Sequence, residues 1–261
     1  MFVKQSEEFI LSWLNKKDFE KFGRYLLSGS IHGKAGVPVA ELGRIEKIIK
    51  KNYTDEQLYK FGKIFLARNE YTVRNIGAHL VVSGWPKFKD VETFAKMAAN
   101  DDDWIVREYA AGTFAALLEK DFSYFSKVYL KWVKSESINV KRAIALAVKY
   151  DSKLSDPKKW KSYYSLINPL LSEDAEYIRK NLGPFTVGDG LLSRYPEQVL
   201  KACQKWKVSK DANVRWNTAM IFTAAAAKKF KKQGMFILKS LENDQDGSVA
   251  KAAAKGLKNL K

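Results

Sequence analysis

The sequence predicts an all-α fold, a right-handed α-solenoid of stacked helix pairs with an N-terminal helical cap. Three observations support it. A short pattern recurs about every 35 residues, the segments between its copies carry apolar residues at helical spacing, and no stretch shows the sustained alternation of a β-strand. We expect residues 1–261 to form one domain, with the cap over 1–51 and about six repeats over 52–261.

Each copy of the pattern has an acidic or polar residue, then a β-branched apolar residue that is usually followed by Arg or Lys. The apolar positions are Val73, Val106, Val140, Ile178, Val214 and Val249, with spacings of 33, 34, 38, 36 and 35 residues. Five positions after each lies a small residue: Ala78, Ala111, Ala145, Gly183, Ala219 and Ala254. Small residues allow close helix packing. The pattern therefore predicts helix pairs joined by a turn that Asp or Ser caps, stacked in the manner of HEAT repeats.

The segments between the copies have the spacing of amphipathic helices. One apolar stripe consists of Phe125, Val128, Tyr129, Trp132 and Val133, and another consists of Val199, Ala202, Cys203 and Trp206. We expect Trp132, Trp206 and Cys203 to be core residues for this reason. The first 51 residues are helical in character without the repeat, and the Gly- and Pro-containing segment 29–38 interrupts them as a loop.

Composition predicts a globular, strongly basic protein. The chain has 46 Lys+Arg and 29 Asp+Glu, a formal charge of +17, and 46% of its residues are hydrophobic. Residues 197–261 alone hold 14 basic and 5 acidic residues, or +9. Such a charge favours a polyanionic partner, but it does not choose between DNA, RNA and an acidic protein.

Several classes of site are not expected. The single cysteine, Cys203, excludes an internal disulfide and a cysteine-rich zinc site, and His32 and His79 lie on unrelated segments. There is no phosphate-binding loop or dinucleotide fingerprint, so we expect no metal and no other cofactor. The apolar runs are too short to span a membrane and the N-terminus lacks a signal-peptide pattern. We therefore expect an intracellular, cytoplasmic protein with no membrane contact.

Two columns of the repeat carry charge. The residue directly after each apolar position forms the ladder column: Arg74, Arg107, Lys141, Arg179, Arg215 and Ala250. Ion pairs between adjacent repeats explain this column best, although some members could also contact phosphate. The next residue forms the groove column: Asn75, Glu108, Arg142, Lys180, Trp216 and Lys251. If the second helices line a concave face, Arg142, Lys180 and Lys251 form a basic stripe along which a phosphate backbone could lie; otherwise the column is a solvated polar face.

Glu108 is the exception in the groove column, because a carboxylate there repels phosphate. Trp104 lies four residues earlier, one turn away on the same side of a predicted helix. Two interpretations remain open. Glu108 could be paired with Arg107 or Arg142 as part of the structure, or Trp104 and Glu108 could together receive a cationic ligand.

The residues around this pair resemble a known family. Segments 102–108, 130–135 and 139–143 resemble the HEAT-like-repeat DNA alkylation repair proteins, the AlkD/AlkC superfamily of DNA glycosylases, and segment 177–181 looks more like the AlkC branch. The resemblance implies that Trp104 and Glu108 are catalytic and that Arg142 and Tyr25 contact DNA. A second groove aromatic is expected near Phe185, where the sequence departs from the family, and Asp189 is the nearest match to a second carboxylate.

The resemblance implies a function. We expect a monomeric DNA repair glycosylase that binds duplex DNA in a basic concave groove and hydrolyses the N-glycosidic bond of cationic N3- or N7-alkylated purines, without a cofactor. Lys180, Trp216 and Lys251 of the groove column join Arg142, Tyr25 and Phe185 as expected DNA contacts. Two alternatives remain open: a non-catalytic HEAT-repeat protein that binds damaged or branched DNA, and a scaffold for an acidic protein.

Overall fold

The computed structural model describes residues 3–31, 33–151 and 156–261; His32 lies outside them. The α-helices of these residues are α1 (Glu7–Asn15), α2 (Phe19–Leu26), α3 (Val39–Asn52), α4 (Asp55–Leu66), α5 (Tyr71–Leu80), α6 (Val91–Ala99), α7 (Trp104–Lys120), α8 (Phe122–Trp132), α9 (Ile138–Asp151), α10 (Trp160–Ile167), α11 (Glu176–Asn181), α12 (Leu192–Arg194), α13 (Pro196–Trp206), α14 (Ala212–Ile221), α15 (Lys231–Lys239) and α16 (Gly247–Leu260). Short 3₁₀ helices cover Val81–Gly84, Pro157–Lys159, Asn168–Ser172 and Ala225–Phe230.

The chain divides into two compact units, Met1–Thr113 and Phe114–Lys261. The first unit contains α1 to α6 and most of α7, around a core in which Ile10, Phe22 and Phe65 are fully buried. The second unit contains the end of α7 and the helices from α8 to α16. The predicted stripes form α8 and α13, and their residues Trp132, Trp206 and Cys203 are buried, as predicted.

The segment 29–38 contains a short β-hairpin that the sequence did not predict. Strand β1 (Ser30–Ile31) pairs antiparallel with β2 (Lys34–Ala35), and Gly33 has a φ of 76° in the turn. Two residues per strand are too few to show an alternating pattern, which explains the missed prediction. Gly29 is required at the base of the hairpin, because an added Cβ would lie 2.5 Å from the carbonyl oxygen of Gly36.

The small residues of the repeat mark close contacts, as predicted. Ala78, Ala111, Ala145 and Ala219 are fully buried, and a Cβ added to Gly183 would lie 2.8 Å from the carbonyl oxygen of Asn217. Ala254, in the last copy, is exposed.

An Asp or Ser caps the N-terminus of most of the helices that follow the turn in each predicted helix pair. Asp103, Ser137, Asp211 and Asp246 each accept a hydrogen bond from a backbone N–H in the first turn of their helix. The caps expected in the other two copies are missing. Glu70 makes no capping hydrogen bond at α5, and the N-cap of α11 is Ala175 rather than an Asp.

Three members of the ladder column form the predicted ion pairs. Arg74 binds both carboxylate oxygens of Asp101 at 2.7 and 2.9 Å, and Arg215 binds Asp244 at the same two distances. Lys141 lies 2.7 Å from Glu173. In each pair the acid lies five positions before the apolar residue of the next copy.

A π-helix, Leu182–Leu191, follows α11 where the repeat pattern predicted ordinary α-helix. Pro184 has no N–H to donate and its ring obstructs the preceding turn, which favours a wider helix. Gly188 allows this segment to pack on α14, because a Cβ there would lie 2.7 Å from the carbonyl oxygen of Ile221. In the described ranges, no helix is long and apolar enough to cross a membrane.

Candidate nucleic-acid interface

Trp104 and Glu108 lie one turn apart at the start of α7. The side chain of Asp103 accepts a hydrogen bond of 2.9 Å from the amide of Ile105 and so begins the helix at Trp104. Trp104 is 41% exposed, whereas Glu108 is half-buried. All seven tryptophans lie in the described ranges, and Trp104 alone among them is exposed. Core packing does not explain this exposure.

The β-hairpin holds the beginning of α7. Lys34 of β2 lies 2.7 Å from the carboxylate of Asp103 and 5.5 Å from the centroid of the Tyr71 ring. Ile105 and Val106 are buried beside Tyr71. Burial alone would raise the pKa of Asp103, but hydrogen bonds from Lys34 and the Ile105 amide hold it below its usual value. The hairpin thus fixes the helix end that carries Trp104.

His79 contacts α7 at the residue after Glu108. Its Nδ1 lies 2.8 Å from a carboxylate oxygen of Glu46, and its Nε2 lies 3.2 Å from the backbone carbonyl oxygen of Tyr109. Burial opposes ionisation of Glu46, yet His79 and Lys50 lower its pKa to about 2. No pattern in the sequence indicated that His79 contacts the residue next to Glu108.

Tyr25 is mostly buried in the first unit. Its hydroxyl donates a hydrogen bond of 2.5 Å to Glu41 and accepts one of 3.1 Å from the amide of Gln5. Burial raises the pKa of Tyr25. With Trp13 and Arg24, the ring lines a surface cavity of about 370 Å³. The predicted contact of Tyr25 with DNA stays a prediction.

The cationic members of the groove column have different environments in the second unit. Arg142 is 4% exposed, and its guanidinium lies 4.4 Å from the centroid of the Tyr177 ring. Lys180 is exposed and pairs at 2.8 Å with Glu176, one turn earlier on α11. Lys251 is exposed on α16. Lys180 and Lys251 are therefore accessible to phosphate as they stand, whereas Arg142 is packed against its neighbour.

Trp216 and Lys180 line one cavity of about 660 Å³ in the second unit. The remaining lining residues are Glu176, Arg179, Pro184, Met220, Thr223 and Lys255. Arg179 lies 4.1 Å from the centroid of the Trp216 ring. The sequence predicted Lys180 and Trp216 as DNA contacts separately. It did not indicate Lys255, which lies one turn after Lys251.

Phe185 and Asp189 lie in the π-helix Leu182–Leu191. Phe185 is 37% exposed, and the Lys149 ammonium lies 2.7 Å from its ring centroid. The backbone carbonyl of Asp189 accepts a hydrogen bond of 2.8 Å from Ser193, and its side chain is half-buried. The predicted roles of both residues, as a groove aromatic and a second carboxylate, stay predictions.

Comparison with known proteins finds similarity at the level of the fold, among solved structures. No protein-family model and no curated protein matched the sequence. Among solved structures, AlkD2 from Streptococcus mutans matches with a TM-score of 0.60 and 21% sequence identity, over 82% of this chain and 98% of that chain. This similarity confirms the predicted fold class: the chain has the AlkD-like fold, an all-α solenoid of HEAT-like helical repeats.

Proposed function

We propose that this protein is a DNA repair glycosylase that hydrolyses the N-glycosidic bond of cationic N3- or N7-alkylated purines in duplex DNA. The observation that carries the proposal is the exposed ring of Trp104 one turn before Glu108, at a helix start held by Lys34. The AlkD-like fold and the charge of +17 support DNA as the partner. We expect a monomer that acts inside the cell and needs no cofactor.

The chemistry suits an aromatic ring beside a carboxylate. Alkylation gives the purine a positive charge, and the face of Trp104 attracts a cation. As the bond from C1′ to the base nitrogen breaks, its electron pair goes to the base and neutralises it, while positive charge develops on the sugar. The carboxylate of Glu108 stabilises that charge. Water then adds to C1′, and Glu108 accepts the proton that the water loses.

The test is base release by the Glu108→Gln variant. We expect release of methylated purines from an alkylated duplex to fall by about 10²–10³-fold, because the amide carries no charge to oppose that of the sugar. Duplex affinity, measured in parallel by gel shift, should stay within about twofold, because removing a carboxylate does not weaken a phosphate contact.

Glu119→Gln is the matched control, since Glu119 is an exposed carboxylate in the last turn of the same helix. It should release bases at the wild-type rate. Equal activity of the wild type and Glu108→Gln would refute the catalytic role of Glu108.

The second candidate is a non-catalytic protein that binds damaged or branched DNA. The exposed cations Lys180 and Lys251 favour it, because they can contact phosphate whether or not Trp104 and Glu108 are catalytic. Under this alternative the wild type binds alkylated or branched duplexes in the same gel shift but releases no base from them.

A further inference from the structure

The cavity around Trp216 has the dimensions and composition of a ligand site. The catalytic step proposed for Trp104 and Glu108 does not involve it. Its volume of about 660 Å³ falls within the range of small-ligand sites. Three elements of the second unit supply its charged and aromatic groups: Arg179 and Lys180 from α11, Trp216 from α14 and Lys255 from α16. Met220 and Pro184 add apolar wall.

Arg179 is a ladder-column residue without the acid that Arg74, Lys141 and Arg215 bind. The acids Asp101, Glu173 and Asp244 lie five positions before the next apolar residue, and the corresponding position for Arg179 is Ser209. A serine carries no charge and cannot receive two guanidinium N–H groups as a carboxylate does. Arg179 lies against the Trp216 ring instead, and its buried Nε has no hydrogen-bond partner in the part of the chain that the structure describes.

The cavity has an excess of positive charge that an anion can use. It contains three cations, Arg179, Lys180 and Lys255, and one carboxylate, Glu176, a net charge of +2. The Lys180–Glu176 pair is 69% and 79% exposed, so solvent screens it strongly. Lys180 can therefore leave Glu176 for a phosphate at little cost.

An aromatic ring in a cationic cavity is the arrangement that binds unpaired bases. Phosphate contacts alone need no aromatic group, and paired bases in a duplex keep their faces stacked inside the helix. We propose that this cavity binds one unpaired nucleotide of single-stranded DNA, with the base stacked on Trp216 and the phosphate bound by Arg179, Lys180 and Lys255. This proposal rests on the proposed function in one respect only, which is the choice of DNA as the ligand.

Fluorescence anisotropy of the full chain tests this with two labelled strands of equal length, a short oligothymidylate and an abasic strand with the same phosphates. The wild type should bind the oligothymidylate about tenfold more tightly, as expected for stacking of a base. Trp216→Ala should bind both strands with the affinity that the wild type has for the abasic strand. Trp216→Phe keeps an aromatic ring and should retain the preference.

A second pair of variants tests the phosphate contact and guards against misfolding of Trp216→Ala. Lys255→Gln should weaken binding of both strands several-fold, because it removes a cation from the cavity. Lys239→Gln, at an exposed lysine of α15 that does not line the cavity, should change either affinity less. A preference for bases that survives in folded Trp216→Ala overturns the proposal, as does equal binding of the two strands by the wild type.

Competition with thymidine monophosphate separates the two sources of an unpaired nucleotide. If millimolar mononucleotide displaces the oligothymidylate from the wild type but not from Trp216→Ala, the cavity accepts free nucleotides, and the assignment to a DNA strand is overturned. Absence of competition, with the preference for bases intact, supports the strand. Neither result depends on base release, so the glycosylase proposal can fail while this one holds.

Discussion

At the scale of single residues, the position five before an apolar residue of the repeat holds, in three copies, the acid that pairs with the preceding ladder-column cation: Asp101, Glu173 and Asp244. Asp244 receives two hydrogen bonds from Arg215, and both side chains are 8% exposed. Ser209, in the same position one repeat earlier, leaves Arg179 to contact Trp216. In these two repeats, an acid at this position accompanies an ion-paired cation, and a serine accompanies a cation that lines a cavity.

Asp244→Ser should remove the acid partner of Arg215 at a cost in stability. Removing one partner of a mostly buried ion pair leaves the other charge without compensation, so we expect the free energy of unfolding to fall by about 3 kcal/mol at neutral pH. Urea denaturation measures it. Glu242→Ser, at an exposed acid two residues away, should change the unfolding free energy by less than about 0.5 kcal/mol.

The same pair predicts a dependence on pH. The hydrogen bonds from Arg215 hold the pKa of Asp244 below its usual value, so the carboxylate stabilises the fold above that value and the contribution is lost as pH falls below about 4. The difference in unfolding free energy between wild type and Asp244→Ser should therefore shrink in acid. A difference that stays constant down to acidic pH would contradict the ion-pair explanation.

At the scale of elements, the small residue of every repeat except the last is where neighbouring helices approach closely. Ala219→Leu on α14 should overpack this contact and lower the free energy of unfolding by about 2 kcal/mol, because Ala219 is fully buried. Ala254→Leu on α16 is the matched control, since Ala254 has the same repeat position but is exposed. Equal destabilisation of the two variants in thermal unfolding would mean that burial at this position does not matter.

Elements with a strong period were predictable from the sequence, whereas irregular ones were not. The stripes of α8 and α13 and the ladder pairs of Arg74 and Arg215 depend on spacing alone, which the sequence contains. The β-hairpin is too short to have a period. The π-helix after α11 depends on Pro184 and on close packing against α14, which a repeat pattern does not encode.

The candidate site was predictable to a similar extent. The positions of Trp104 and Glu108, one turn apart at the start of a helix, follow from helical spacing. The burial of Arg142 against Tyr177 and the contact of His79 with α7 depend on neighbouring segments that are distant in sequence. Repeat position thus predicted which helix carries a side chain, but not what covers it.

At the scale of the whole molecule, the cations behind the charge of +17 fall into two groups, those paired with acids between repeats and the rest. Some of it forms ion pairs between repeats, as at Arg74, Lys141 and Arg215, and those cations are unavailable to a polyanion. The remainder is uneven along the chain, since residues 197–261 carry +9. Affinity for DNA should therefore follow the location of exposed lysines rather than the net charge.

Replacing the exposed α16 lysines Lys251, Lys255 and Lys258 with Gln tests this directly. Each phosphate contact releases counterions, so the slope of log affinity against log salt for a DNA duplex should become less steep by about 0.9 for each lysine that contacts phosphate. Gln variants of the exposed α3 lysines Lys47, Lys50 and Lys51 lose the same three charges, which takes the net charge from +17 to +14 in either case. If both triple variants lose affinity and slope equally, binding follows total charge, and the C-terminal repeats have no special role. A loss confined to the α16 variant places the duplex contact on that helix.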